Sequence, residues 1–179
     1  MSEELTKFLK FLFEADTGYV YSPLKRKTGE WEQRFFQWPS ESQTLQDWIT
    51  LSSVEGNIYV SPVLYEEKKA TKEAIKHSNV VWVEFDGAAK IEFKDLPQPD
   101  VMVQTSSETH VHCYWKVKQS SGSAIEEVNR RLTYYLRADN SGWDSTQVLR
   151  PPGTINHKYA RLTTTSLIRN TPSFLKRPL

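Results

Sequence analysis

The sequence predicts an α+β fold, and three observations carry that reading. Asn79 to Phe85 is a nearly unbroken apolar run of strand length, and Thr109 to Val117 alternates with period two. Leu5, Phe8, Leu9 and Leu12, and later Ile125, Val128, Leu132 and Leu136, recur at helical spacing. The two kinds of segment do not alternate as a βαβ series, and no internal repeat is present.

Taken in order, Ser2 is placed to cap a first helix running to about Glu14. Gly18 to Tyr21 and Trp31 to Trp38 are aromatic, extended stretches that predict strands. Ser40 with Gln43 reads as a capping box for a helix through Leu45, Trp48 and Ile49, followed by a strand over Asn57 to Val60. Tyr65 to His77 is charged and predicts a loop or short helix. The apolar strand Asn79 to Phe85 then ends at Asp86-Gly87, and a turn bearing Pro97 and Pro99 leads to strands over Val101 to Gln104 and Thr109 to Val117. Ser123 and Glu126 predict the start of the last helix, which ends near Arg137. Gln147 to Leu149, a Pro-Pro-Gly turn and a strand over Leu162 to Leu167 follow.

A chain of 179 residues fits one domain, or one domain of two lobes, with a hydrophobic core of its own. Its 23 basic and 22 acidic residues leave a net charge of +1, so any nucleic-acid contact must come from local clusters: Lys25 to Lys27, Lys68 with Lys69 and Lys72, or Arg130 with Arg131. Each could equally be a solvated face. The single Cys113 excludes an internal disulfide framework and a Cys-rich zinc site, and fits a reducing cytoplasm. The acidic amphipathic N-terminus has no features of a leader, and no segment reaches the roughly 18 apolar residues of a membrane span.

Chemistry concentrates in three segments. In VVWVEFDG, Glu84 and Asp86 stand two apart at a strand end, so both emerge on one face, about 6 to 7 Å apart along the backbone. Such a pair suits divalent Mg²⁺ or Mn²⁺, although Asp-Gly is also a common turn. In TSSETHVHCYWKV, His110, His112 and Tyr114 share one face, and the imidazoles could hold phosphate or ligate metal. In VLRPPGTINHK, Arg150 and Lys158 flank a turn stiffened by Pro151, Pro152 and Gly153, an arrangement suited to polyphosphate.

An acidic pair after an apolar strand, a histidine strand ending in His-x-Tyr-Trp, and Asp-x10-Arg-x-Pro-Gly-Thr-x-Asn-x-Lys together resemble the archaeo-eukaryotic primase superfamily, particularly phage and plasmid primase-polymerases. WEQRFFQWP, the Asn57 to Pro62 stretch and the basic Lys68 to Lys72 segment extend the likeness over residues 17 to 162. The resemblance implies an RRM-like antiparallel sheet with helices, packed against an N-terminal α/β lobe: lobes of about 1–78 and 79–179 with the site between them. It implies a template-dependent DNA primase or polymerase that joins NTP or dNTP with two Mg²⁺ or Mn²⁺ ions and no organic cofactor. Glu84, Asp86 and Asp139 would hold the metals, while His112, Arg150 and Lys158 would bind the nucleotide. Asp144, five residues on, reads instead as a turn residue. Two positions depart from the family pattern: Glu84 stands where Asp is usual, and His110 where Ser or Gly is common. The expected partners are single-stranded DNA template and nucleotide, with a helicase domain or chain elsewhere, since GxxxxGK[ST] does not occur.

Two other readings compete. His110-Val111-His112 also matches the His-hydrophobe-His pattern of HUH replication initiator endonucleases, with Tyr134 or Tyr135 as nucleophile and Arg137 beside them. That reading leaves the Glu84/Asp86 pair and the RPPGT segment without roles. A nucleic-acid-binding module without catalysis is the other.

Overall fold

The computed structural model describes residues 3–88, 90–93, 95–158 and 163–170. Helix α1 (Glu3–Phe13) buries Leu5, Phe8, Leu9, Leu12 and Phe13, the stripe its spacing predicts; Ser2, its expected cap, lies outside the described residues. Strands β1 (Gly18–Tyr21), β2 (Leu24–Arg26), β3 (Trp31–Glu32) and β4 (Phe35–Trp38) follow. The single strand expected over Trp31 to Trp38 is therefore two, and they serve different sheets: β3 pairs with β2, whereas β4 pairs with β1.

Helix α2 (Ser42–Ser52) has Glu41 at its N-cap and no side-chain cap bond, so the expected Ser40/Gln43 capping box does not form. The reason is local: Ser40 Oγ turns back to donate to Gln37 O, and Glu41 accepts from the Gln37 N–H. Strand β5 (Gly56–Ile58) and strand β6 (Leu64–Tyr65) come next, and beyond β5 Val60 bridges Leu149 by a reciprocal pair of backbone bonds. A 3₁₀ turn at Lys72–Ala74 feeds directly into β7 (Ile75–Asp86), which starts four residues before the apolar run that announces it. Strand β8 (Val101–Gln104) has the bounds expected, and β9 (His110–Ser120) runs three residues past them.

Helix α3 (Gly122–Leu136) is capped by Ser121, not Ser123, through a bond from Ala124 N. Glu126, expected to complete the cap, instead accepts from Ser145 and pairs with Lys72. Short strands β10 (Ile155–Asn156) and β11 (Thr163–Thr164) pair, and β12 (Ser166–Asn170) closes the described chain. Leu162, where the last strand was expected to begin, lies outside the described residues.

Among the described residues the strands form a seven-stranded sheet in the order β12-β8-β9-β7-β6-β1-β4, a three-stranded sheet β3-β2-β5 and the β10-β11 pair. The pairings within the large sheet are antiparallel. This is the predicted α+β class. The core lies on both faces of β7 and β9. On one, Val81, Val83, Phe85, Val111, Cys113 and Trp115 are buried; on the other, Trp82 and Tyr114 are buried, Tyr114 beneath α1 with Phe8 edge-on to it at 5.4 Å. No helix among the described residues is long and apolar enough to cross a membrane.

Strand β6 ends after pairing with Ile75 and His77, so among the described residues the rest of that edge of β7 has no strand beside it. A buried backbone edge must find other partners. Asn129, fully buried on α3, accepts the Trp82 N–H through Oδ1 at 2.9 Å, and the Asp139 N–H donates to Glu84 O at 2.9 Å. Asn129→Ala strands the Trp82 N–H and should cost about 2 kcal/mol in urea denaturation; an unchanged midpoint would show that the edge is satisfied without Asn129.

Candidate functional site

The register of β7 against β9 sets Glu84 opposite His112 and Asp86 opposite His110. Glu84, Asp86, His110, His112 and Tyr114 therefore share a face, as their spacing requires. Helix α1 covers the Tyr114 end of this face. The other end opens as a cavity of about 70 Å³ lined by Glu84, Asp86, His110, His112, Arg150 and Lys158, together with Thr105 and Asn156. Five of the six site residues expected from sequence thus meet in one place.

Asp139, the sixth, lies alongside. It lines a separate hollow of about 330 Å³ with Phe85, Asp86, Arg137 and Ala138, so Asp86 stands between the two spaces. Asp139 Oδ1 accepts from Ser141 N and Oγ, at 2.9 and 3.0 Å. Asp144 behaves as a turn residue: Oδ1 accepts from Thr146 N and Oγ1, while Oδ2 pairs with Lys72 at 2.8 Å. Burial pushes the Asp144 carboxyl up, but the bonds from Lys72 and Thr146 outweigh it and hold it below its ordinary value. Asp144 and Glu126 together push the Lys72 ammonium up to about 12.

Both carboxylates of the pair are engaged by donors. Asp86 Oδ1 is 3.0 Å from His110 Nε2 and Oδ2 is 3.3 Å from Lys158 Nζ. Glu84 Oε2 is 3.4 Å from His112 Nε2, and Oε1 accepts from Gln147 Nε2. The side chain of Glu84 is 19% exposed and that of Asp86 45%, so Asp86 presents the more open oxygen atoms. Among the described residues no group of three or more His, Cys, Asp or Glu side chains is arranged to hold a metal ion. Glu84 and Asp86 nonetheless supply two hard oxygen donors on one wall of one cavity. That suits Mg²⁺, which characteristically takes one or two carboxylates and completes its shell with water and substrate phosphate.

The cationic wall is built by residues that the sequence did not single out. Asn57 Oδ1 accepts from Arg150 Nη2 and from the His157 N–H, both at 2.9 Å, and His157 Nε2 lies 2.8 Å from Ser53 O. Buried Asn156 donates to Thr105 O and accepts the Lys158 N–H. The PPGT turn is fixed as Thr154 and Thr165 hydroxyls converge on Pro151 O at 2.8 and 2.7 Å, with Gly153 at φ 79°, a conformation that favours glycine. Arg150 and Lys158 also line a second, larger cavity of about 560 Å³, whose other walls include Lys25, Arg26, Lys27, Asn57, Tyr59 and His157. Of the three basic clusters in the sequence, only Lys25 to Lys27 faces this space. Lys72 is held by Glu126 and Asp144, and Arg130 and Arg131 by Glu127.

Gly142 and Gln147 were also not legible as site residues. A Cβ on Gly142 would stand 2.6 Å from Glu84 Oε1, so glycine is what lets the 138–149 loop close on that carboxylate. Trp82 Nε1 secures the approach by donating to Gly142 O at 2.9 Å. The tyrosines of the endonuclease reading do not join the histidines: Tyr134 and Tyr135 are 58% and 44% exposed on α3, and neither lines the cavity of His110 and His112.

No family model and no curated protein sequence matches the chain. Solved structures do. The crystal structure of primase RepB′ superposes with a TM-score of 0.73 at 17% identity, covering 97% of this chain and 58% of that one. The catalytic domain of primase RepB′ in complex with initiator DNA gives 0.70 at 17% identity, covering 98% of this chain and 89% of that one. The AEP domain of the cyanophage S-2L primase-polymerase gives 0.70 at 16% identity, covering 97% and 92%. The chain thus spans little more than half of the first of these proteins and nearly all of the two catalytic domains. At such identities the likeness establishes architecture, and the architecture of this chain is the archaeo-eukaryotic primase fold.

Proposed function

We propose that the chain is a template-dependent nucleotidyltransferase, a DNA primase or polymerase that joins NTP or dNTP on a single-stranded DNA template. One observation carries the reading: on this fold a single cavity sets the carboxylates of Glu84 and Asp86 against Arg150 and Lys158. Opposed walls of this kind match a metal-bound polyphosphate, with anions for the cation and cations for the phosphates.

Glu84 and Asp86 would hold divalent Mg²⁺ or Mn²⁺, with Asp139 reaching the same ions from its hollow beside Asp86. Bound there, the ions supply Lewis-acid stabilisation of the attacking and leaving oxygens. The rest falls to the protein's own groups. Arg150 offers a planar fork already oriented by Asn57, and Lys158 a point charge, so together they bind and align the outgoing phosphates. His112 Nδ1 and Arg150 Nε are buried without a hydrogen-bond partner in the described protein, as suits groups whose partner is a ligand. His112 also steadies Glu84 from across the strand. In this reading, with lobes of about 1–78 and 79–179, the second lobe lines the carboxylate cavity, and the first contributes Lys25 to Lys27 and Asn57 to the larger cavity that shares Arg150 and Lys158 with it. The strand-opening activity that exposes template belongs to another domain or chain.

The reading is tested by incubating the chain with single-stranded template, Mg²⁺ or Mn²⁺ and labelled NTPs or dNTPs, with and without primer. Product ladders are expected; the absence of both product and metal-dependent nucleotide binding would sink it. Glu84→Ala and Asp86→Ala should each lower transfer by on the order of 10²-fold or more while the protein remains folded by circular dichroism. Full activity in either removes the carboxylates from the mechanism. Asp139→Asn should likewise abolish extension with little change in Tm, whereas Asp144→Asn should cost at most about 1 kcal/mol of stability and spare much of the activity. The reverse pattern transfers the third metal carboxylate to Asp144.

A further inference from the structure

Trp31 is 51% exposed on an outer strand of the three-stranded sheet, whereas Trp38, Trp82 and Trp115 are buried. So large an aromatic gains little from folding in that position. Its surroundings are ordered all the same. Its ring stacks on Tyr59 with centroids 5.8 Å apart and planes 28° apart, and Lys25 Nζ, its cross-strand neighbour, lies 5.6 Å from its centroid. On Tyr59 sits the Arg150 guanidinium, 4.8 Å from that centroid. Four side chains thus form a continuous run, Lys25, Trp31, Tyr59 and Arg150, and the last also lines the cavity of Glu84 and Asp86.

The larger basic cavity lies along this run. Of its cations, Arg26 is neutralised by Glu32 and Glu55, and Lys158 is 3.3 Å from Asp86. Lys25 and Lys27 take part in no ion pair among the described residues, and both face the cavity. The charge therefore selects a polyanion. The aromatic pair selects one that carries flat rings, which inorganic polyphosphate and most acidic peptides lack.

We propose that this face is a binding track for single-stranded nucleic acid: a base stacks on Trp31, the backbone phosphates beside it meet Lys25 and Lys27, and the strand is led past Arg150 to the carboxylates. That the strand is the template rests on the polymerase reading above. Stacking on an aromatic tolerates any base, because every base has a π face. A duplex, whose faces are already stacked, offers Trp31 nothing.

The test is fluorescence anisotropy of labelled oligo(dT) with the whole chain, without metal or nucleotide, across a salt series. Trp31→Ala should weaken binding by roughly tenfold, Trp31→Phe should keep most of the affinity, and a strand of abasic sites should bind the natural protein as poorly as oligo(dT) binds Trp31→Ala. Replacing Lys25 and Lys27 together by Ala should flatten the dependence of log affinity on log salt by roughly one to two units. Equal affinity of Trp31→Ala and the natural protein would overturn the proposal, as would displacement of the strand by an equimolar mononucleotide, which assigns the stack to the incoming base. Strand binding that depends on Trp31 in a protein that neither extends a primer nor binds nucleotide with metal would refute the polymerase reading and leave this surface standing. Extension by a protein whose strand binding ignores Trp31 would do the reverse.

Discussion

Twelve residues of β7 lie antiparallel to eleven of β9, in a register that places Glu84 beside His112 and Asp86 beside His110. Side chains alternate along a strand, so a slip of one residue would turn both carboxylates into the packing of Val81, Val83, Phe85, Cys113 and Trp115. Burying two unpaired carboxylates there would cost far more than any local rearrangement recovers. The apolar face of the ladder thus fixes the polar one. Helix α1 finishes the division by sealing the far end of the polar face over Tyr114, leaving open the last few residues of β7 and the first few of β9.

One side of β7 is given over to pairing with β9; the other, beyond its short pairing with β6, is finished by pieces that are not strands. Asn129 takes the Trp82 N–H, the Asp139 N–H takes Glu84 O, the Trp82 indole takes Gly142 O and Gln147 takes the Glu84 carboxylate. A further anchor lies outside the sheet, where Lys72 bridges Glu126 and Asp144. The 138–149 loop is thereby held at Asp139, Gly142, Asp144 and Gln147, and this is why a carboxylate from a loop, Asp139, stands at a defined place beside a strand that carries two others. Rigid support for such a group is what positioning in a catalytic site requires.

The parts legible in the sequence are those with local causes. Period-two alternation located β9, turn-bounded apolar runs located β1 and β8, and the 3.6-residue period located α1 and α3. The spacing Glu84-x-Asp86 and His110-x-His112 placed four side chains on one face before any partner was known. Both predicted capping boxes failed because the polar residues that suggested them bond elsewhere, Ser40 and Ser123 close by, with Gln37 O and Ser121 Oγ, and Glu126 across the fold. Glu126 is the clearest case, since its partners Lys72 and Ser145 are 54 and 19 residues away in sequence. Asn57, Gln147 and Gly142 were invisible because their roles exist only across the fold. The split of Trp31 to Trp38 into two sheets belongs to the same class, since which partner each half finds is a tertiary matter.

Net charge was the least informative number in the sequence, and the ion pairs explain why. Glu127 is spent on Arg130 and Arg131, Glu126 and Asp144 on Lys72, Glu14 on buried Lys116, and Glu32 with Glu55 on Arg26. These pairings cancel charge where they occur, at the surface or beneath α1, and leave Lys25, Lys27 and Arg150 uncancelled around one cavity. A chain of formal charge +1 can therefore present a strongly basic cavity that shares Arg150 and Lys158 with the one lined by Glu84 and Asp86. The acids are thus used in two ways: Glu14, Glu32, Glu55, Glu126, Glu127 and Asp144 cancel positive charge, whereas Glu84 and Asp86 line a cavity together with Arg150 and Lys158.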